Sequence, residues 1–158
     1  MSTAMTLQIN STASDETFAI GERLGQKCRG GELFLLTSDL GGGKTTFTKG
    51  LAKGLGSTDV VSSPTFMVGK VYDCRDGIML HHFDFYRLGE AGMVGMELEE
   101  VQEDPKAICA IEWGDIVNNQ LPPDRITIQL SRVASGEDDR LITVTTTPAR
   151  SYLIEGLQ

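Results

Sequence analysis

The stretch GELFLLTSDLGGGKTTF, residues 31–47, decides the fold that this sequence predicts. An apolar run at 32–37 is followed by a glycine-rich turn, and Phe47, Leu51 and Leu55 then recur at helical spacing. A strand, a glycine loop and a helix in this order let backbone N–H groups surround a phosphate oxygen at the N-terminus of the helix. We therefore expect an α/β domain that carries a phosphate-binding loop.

The loop departs at one position from the phosphate-loop pattern G-x-x-x-x-G-K-[ST]. Gly43, Lys44 and Thr45 occupy the last three defined positions, but Ser38 stands where the first glycine belongs. A serine with a positive φ would cost on the order of 1 kcal/mol or more. We expect Ser38 to be tolerated, because the first position shapes the exit from the strand, whereas residues 41–45 build the phosphate cradle.

Two side chains at the end of the loop suit a nucleotide and a metal ion. The ammonium group of Lys44 can reach the β- and γ-phosphates, and the hydroxyl of Thr45 is placed to ligate Mg²⁺. The alternative is a glycine-rich turn that happens to precede a lysine and a threonine. The strand before the turn and the amphipathic helix after it favour the phosphate loop.

Two acids follow later apolar runs. Asp84 comes directly after IMLHHF, where a carboxylate can reach the metal shell through water; a solvated loop aspartate is the alternative. Glu112 ends the run AICAIE, where a buried carboxylate is costly unless it acts on a metal, a water or a cation. Glu112 is therefore a candidate to coordinate Mg²⁺ or to orient an attacking water.

Five residues near these motifs have roles that the pattern leaves open. Thr65, in the short stretch SSPTF, suits a hydroxyl that senses a γ-phosphate. Trp113, the only tryptophan, either packs in the core or flanks the site. His81 and His82 face opposite sides of a strand and are interpreted as structural, hydrogen-bonded histidines. Arg87 is a candidate ion-pair partner, a contact for another protein or a catalytic cation.

Composition restricts the function further. The 158 residues carry 22 acidic and 14 basic side chains, for a net charge of −8, which argues against a protein that binds nucleic acid by itself. The three cysteines Cys28, Cys74 and Cys109 lie far apart, so the sequence favours neither disulfides nor a zinc site. No apolar run of about 18 residues is present, and we expect a cytoplasmic protein without a membrane segment.

The other elements complete a single domain over residues 1–158, of which 1–5 are expected to be loose. TLQIN is a possible first strand, and Ser14 is predicted to cap a helix at 15–28. FMVGKVYD and IMLHHFDFY are predicted to form a hairpin, and residues 107–113 a further buried strand. RITIQLS and RLITVTT are predicted to form a second hairpin. The prediction is a three-layer, P-loop NTPase-like α/β domain whose mainly parallel sheet is extended by antiparallel strands.

The motifs GELFLLTSDLGGGKTTF, SSPTF, HHFDFYRL and AIEW, in this order, resemble those of the TsaE (YjeE) family over roughly residues 10–130. The resemblance implies a bacterial P-loop ATPase of tRNA threonylcarbamoyladenosine (t6A) modification at position 37. It implies ATP or ADP and Mg²⁺ as cofactors, and the proteins TsaD and TsaB as partners, with tRNA reached through that complex. Hydrolysis of ATP would support turnover of the complex.

The resemblance also implies roles for individual residues. Thr45 and Glu112 would hold Mg²⁺ together with the Walker B-like Asp84, and Lys44, Asp84, Glu112 and Thr65 would form the catalytic set. The implied nucleotide-binding residues are Ser14, Thr17, Asp39, Leu40, Gly41, Gly42, Gly43, Lys44, Thr45, Thr46 and Trp113. The family usually has glycine in place of Ser38 and alanine in place of Gly42.

Other functions are open to a chain with a phosphate loop. A small-molecule kinase would need cationic side chains over the transferring group, but the segment 88–104 carries six acids and no lysine or arginine. A signalling GTPase would need a base-reading N-K-x-D sequence, which is not present. A nucleotide-gated binding module with little hydrolysis is the third alternative. No arginine finger is evident beside the motifs, so we expect weak hydrolysis by the chain alone.

Overall fold

The computed structural model describes residues 4–38, 43–61, 69–85, 92–113, 121–134 and 136–157, without the side chains of 92–95. The strands are β1 (Met5–Ser11), β2 (Leu33–Ser38), β3 (Gly69–Asp73), β4 (Met79–Asp84), β5 (Ala107–Glu112), β6 (Ile126–Arg132) and β7 (Arg140–Thr146). The α-helices are α1 (Ser14–Lys27), α2 (Lys44–Gly54) and α3 (Gly92–Gln102), and two 3₁₀ segments span Arg75–Gly77 and Pro148–Leu153.

The seven strands form one mixed sheet in the order β1-β7-β6-β2-β5-β4-β3. Its centre, β6-β2-β5-β4, is parallel, whereas β3 pairs antiparallel with β4 at one edge and β7 and β1 add antiparallel strands at the other. All six residues of β5 are buried, as expected for a strand covered on both faces. The predicted α/β fold, with a parallel core extended by two hairpins, is confirmed.

Helices cover both faces of the sheet. Phe47 and Leu51 of α2 pack with Leu24 of α1 on one face, in the same cluster as alternate residues of the central strands. Leu98 of α3 packs on the other face, in a smaller cluster that includes Ile111 of β5. None of the helices in the described ranges is long and apolar enough to cross a membrane.

Four glycines bring α1 and α2 together backbone against backbone. A Cβ added at Gly21 or Gly25 would collide with the backbone of α2, and one added at Gly50 or Gly54 would collide with the backbone of α1. Gly21 meets the carbonyl of Phe47, and Gly25 meets α2 one turn further on, so the two helices run parallel. Their N-termini therefore lie at the same end of the sheet.

Arg75 closes the opposite end of this helix pair. Its guanidinium donates to the carbonyl of Gly54 at the end of α2 (2.8 Å) and to the carbonyls of Gly25 (3.2 Å) and Cys28 (2.9 Å) at the end of α1. A cation at a helix C-terminus stabilises the partial negative charge there and satisfies carbonyls that lack an intrahelical partner. One side chain thus caps both helices.

The helix ends differ in detail from the predictions. Ser14 does not cap α1, because the N-cap residue is Ala13 and no side chain caps it. The preceding turn is held instead by the Ser11 hydroxyl, which donates to the carbonyl of Ala13, and by Glu16, which accepts from the backbone of Thr12. Ser11, Thr12 and Ser14 are all residue types that favour the N-cap, so propensity alone does not show that Ser14 begins the helix and Ala13 precedes it.

Replacing Gly50 with alanine tests the contact between the helices. Although alanine favours a helix by about 1 kcal/mol over glycine, its Cβ would collide with the backbone carbonyl of Phe18. We expect Gly50→Ala to lower the free energy of unfolding by about 2 kcal/mol, as overpacked cores do, measured by urea denaturation. Lys49→Ala, at the neighbouring exposed position of α2, is the control and should change the free energy of unfolding by less than about 0.5 kcal/mol. A variant at Gly50 as stable as the parent would contradict the close packing.

Candidate functional site

The N-termini of the parallel helices open onto one cleft. Its volume is about 130 Å³, and its lining comes from the first turns of the two helices and from the turn between β6 and β7. The lining residues are Ser14, Thr17, Gly43, Thr46, Asp138 and Arg140. The first four N–H groups of a helix have no intrahelical acceptor and carry partial positive charge. Two such helix ends at one cleft favour a ligand that carries negative charge.

Gly43 has a backbone conformation that favours glycine. It is the N-cap of α2 and has a φ of 103°, in the left-handed region where other residues are strained. The methyl group of Thr17 lies 3.8 Å from the position that a Cβ on Gly43 would take. The Thr17 hydroxyl bonds Ser11, 2.8 Å away, so Thr17 presents its methyl group to the loop. Thr17 of α1 and Gly43 at the start of α2 therefore lie side by side at the cleft.

Ser38 is in extended backbone and is the last residue of β2, paired with Leu130 of β6. The described residues other than glycine that have a positive φ are Asp76 and Trp113. The strain that a left-handed serine would carry is therefore absent from this position. Asp39, Leu40, Gly41 and Gly42, which are predicted to form the loop itself, lie outside the described residues.

Lys44 begins α2 and is directed at Trp113. Its side chain nitrogen lies 4.4 Å from the centroid of the indole ring, and the lysine is buried at 8% relative exposure. Ammonium groups over indole rings are stabilised by about 1 kcal/mol or more. Trp113 has a φ of 58°, a left-handed conformation that costs a bulky residue about 1–3 kcal/mol. Trp113 thus contacts Lys44 and also packs against the smaller core cluster, so the structure combines the two roles that the sequence left open for its ring.

The carboxyl ends of β4 and β5 lie side by side and carry the two predicted acids. Asp84 and Glu112 are register partners at the last residues of these parallel strands, so their side chains leave the same face of the sheet. Glu112 is only 3% exposed, and its Oε2 lies 2.6 Å from Nε2 of His82, which is fully buried. A carboxylate buried to this degree requires a partner, and the imidazole supplies one.

Asp138 and Arg140 are lining residues that the sequence analysis missed. They belong to the charged turn and the strand start in ASGEDDR, where a solvent-exposed hairpin is the ordinary interpretation. Arg140 donates from Nη1 to the carbonyls of Glu137 (2.7 Å) and Asp139 (2.9 Å). The only signal in the sequence was the concentration of charge in this turn. The sheet order sets how close the turn lies to the glycine loop, and local sequence patterns do not contain that order.

Other predictions concern the metal, two loop residues and the cysteines. Thr65 and Arg87 lie outside the described residues. Within the described ranges, no three His, Cys, Asp or Glu side chains come together to hold a metal ion.

The three cysteines are free, as expected. Burial raises the pKa of the Cys109 thiol to about 12, so it stays protonated at neutral pH and is a structural side chain.

Comparisons with known proteins agree on one family. The family model described as "Threonylcarbamoyl adenosine biosynthesis protein TsaE" matches residues 11–142. The tRNA threonylcarbamoyladenosine biosynthesis protein TsaE of Bacillus subtilis is 41% identical over 132 residues, which cover 83% of this chain and 80% of that protein.

A second relative and a solved structure extend this result. The protein of the same name from Streptomyces coelicolor is 37% identical over 131 residues, 81% of this chain and 87% of that one. The crystal structure of Bacillus subtilis YdiB superposes with a TM-score of 0.79 at 36% identity and covers 98% of this chain and 95% of the other. The similarity therefore includes nearly the whole fold.

Replacing Ser38 with glycine tests whether the serine impairs the loop. Because Ser38 is already extended, glycine relieves no strain, and we expect the Kd for MgADP to change less than about 3-fold, or about 0.7 kcal/mol. Fluorescence of Trp113, whose ring lies over Lys44, follows the titration. Gly43→Ala, at a φ of 103°, is the control that should weaken binding. A gain of several orders of magnitude from Ser38→Gly would contradict this account.

Proposed function

The chain belongs to the TsaE family of threonylcarbamoyl adenosine biosynthesis proteins, and on this basis we propose that it is a Mg²⁺-dependent ATPase. Its role would be in tRNA threonylcarbamoyladenosine modification, the process named for its relatives. The observation that carries the proposal is the cleft at which α1 and α2 both begin, with Lys44 in the first turn of α2. Helix N-termini and a lysine at a glycine loop are the groups that bind nucleotide phosphates.

Two groups of lining residues would bind different parts of the nucleotide. Gly43, Lys44 and Thr46 would bind the phosphates through the start of α2, together with residues 39–42. Ser14 and Thr17 on α1 would face the nucleoside. Asp138 and Arg140, which line the same cleft, would contact the ribose or the base.

Mg²⁺ would suit three oxygen donors at the start of α2 and at the ends of β4 and β5. Thr45, in the first turn of α2, would ligate it through its hydroxyl, and Asp84 and Glu112 would approach from the neighbouring ends of β4 and β5. Mg²⁺ takes few protein ligands and keeps waters and phosphate oxygens for the rest of its octahedron. When bound, the ion neutralises charge on the phosphates as the γ-phosphoryl group leaves.

Hydrolysis would proceed by attack of water on the γ-phosphorus, with cleavage of the bond to the β-phosphate oxygen and release of ADP. Lys44 would leave the Trp113 ring and pair with the phosphates, because a charge pair in a dry site is worth more than a contact with an indole face. Glu112 would orient the attacking water and accept its proton. Thr65 would bond the γ-phosphate in the manner of a switch threonine.

Partners would complete the activity. TsaD and TsaB are the proposed partner proteins, and tRNA would be bound through them, since a net charge of −8 opposes direct binding of an RNA backbone. Arg140 is the arginine among the lining residues of the cleft, and we assign it to the nucleoside. Phosphoryl transfer without an arginine finger is slow even when Mg²⁺ and a loop lysine are in place, so hydrolysis would be weak until the partners bind.

The two remaining alternatives have less support. Exposed side chains on α3 include Glu97, Glu99 and Glu100, and this acidic helix would repel the anionic acceptors of many kinases. A binding module with little hydrolysis would not need a carboxylate as deeply buried as Glu112. Burial of a carboxylate is costly, and a role in catalysis would explain why this one is kept.

Replacing Glu112 with glutamine separates hydrolysis from binding. We expect Glu112→Gln to keep the Kd for MgADP within about 3-fold and to lower phosphate release at least 100-fold, a typical loss on removal of a general base (roughly 10²–10⁴-fold). In a reconstituted assay with TsaB, TsaD and tRNA, t6A formation should fall with it. Glu99→Gln on the exposed face of α3 is the matched control. Unchanged t6A formation in Glu112→Gln would support the binding-module alternative instead.

A further inference from the structure

His82 lies on β4, next to the edge strand β3, and contacts the proposed catalytic acid. On adjacent parallel strands, His82 is the partner of Ala110, and Glu112 is two residues further along β5 on the same face. Nε2 of His82 lies 2.6 Å from Oε2 of Glu112. The side chains are 0% and 5% exposed, so water does not compete with this hydrogen bond.

The second ring nitrogen indicates which atom carries the proton. Among the described residues, Nδ1 of His82 is buried and finds no hydrogen-bond partner. A buried N–H without an acceptor is less tolerable than a buried lone pair without a donor. The proton of a neutral ring therefore belongs on Nε2, which donates to Oε2 of Glu112. The ring of Tyr72, 6.4 Å away and tilted by 34°, packs beside the imidazole.

We propose that His82 is a positioning residue for Glu112. Its Nε2–H holds Oε2 of the carboxylate, so that the side chain keeps one rotamer and its other oxygen, Oε1, is left for the proposed attacking water. His82 itself touches neither nucleotide nor water in this arrangement. The inference rests on the proposed ATPase function, in which Glu112 orients the attacking water. It assigns His82 as the residue that keeps the Glu112 carboxylate in place.

The neighbouring histidine provides a matched control. His81 leaves the opposite face of β4, is half buried, and stacks on Phe83 at a centroid distance of 6.3 Å. Both histidines belong to one strand and were interpreted alike from the sequence, but only His82 reaches an acid of the proposed site. A purely structural role predicts that substitutions at His82 change stability without acting through Glu112.

Phosphate release by single and double variants tests the proposal. We expect His82→Leu to lower kcat about 10- to 100-fold, with KM and the Kd for MgADP changed less than about 3-fold, because positioned groups act in the transition state. His82→Gln should recover most of the rate, since its amide nitrogen can reach the position of Nε2. His82→Leu should cost nothing further when combined with Glu112→Gln, and His81→Gln should match the parent.

The outcomes separate the inference from the proposed function. If Glu112→Gln releases phosphate at the parent rate, the role of Glu112 fails and the positioning role falls with it. If Glu112→Gln is impaired but His82→Leu is not, or if their losses multiply in the double variant, the inference alone is overturned. Should His82→Leu fail to fold, His82→Asn replaces it, because its shorter amide cannot reach Glu112 and should behave unlike His82→Gln.

A measurement without nucleotide gives an independent test. The chain has two histidines, so ring ¹⁵N spectra of the parent and of His81→Gln assign the signals of His82. We expect a proton on Nε2, the ring nitrogen that faces Glu112. A proton on Nδ1 alone would leave Nε2 unable to donate to Glu112 and would overturn the proposal.

Discussion

The parallel contact between α1 and α2 is the constraint on which the candidate site depends. Two helices that lie side by side in parallel place like partial charges together at each end. Four glycines, Gly21, Gly25, Gly50 and Gly54, bring the backbones together despite this cost, and Arg75 binds carbonyls at both C-termini. At the N-terminal ends of the two helices, a bound anion would balance the partial positive charges in the way that Arg75 balances the negative ones. The same packing that orders the fold therefore brings two helix N-termini, each with partial positive charge, to one cleft.

The sheet supplies the opposite side of the site. Because β4 and β5 are parallel and in register, Asp84 and Glu112 emerge together where these strands end. Glu112 is held by His82 from within the sheet, and the next residue, Trp113, adopts a left-handed backbone that brings its ring to Lys44. A strained residue directly after a buried carboxylate is a costly arrangement. Such costs are typical of positions selected for chemistry, and here they lie beside the first turn of α2.

Local patterns in the sequence predicted most of the fold, and the motifs predicted the family. Continuous apolar runs and apolar–polar alternation predicted the strands, and the glycine loop predicted the link between β2 and α2, because these signals depend on neighbours in the chain. The sequence did not reveal that Ser38 is extended, since backbone geometry at a strand end depends on its pairing with Leu130. Arg140 and the bond between His82 and Glu112 were also missed, because the sheet order brings together residues that are distant in sequence.

Calorimetric titration with adenosine and with ADP, both in the presence of Mg²⁺, tests the central claim most directly. If the joined N-termini of α1 and α2 hold phosphate with Lys44, most of the binding free energy belongs to the phosphates. ADP should then bind at least about 100-fold more tightly than adenosine, or about 2.8 kcal/mol, since each hydrogen bond to a charged group contributes about 1.5–3 kcal/mol. Equal affinities for adenosine and ADP would contradict the claim.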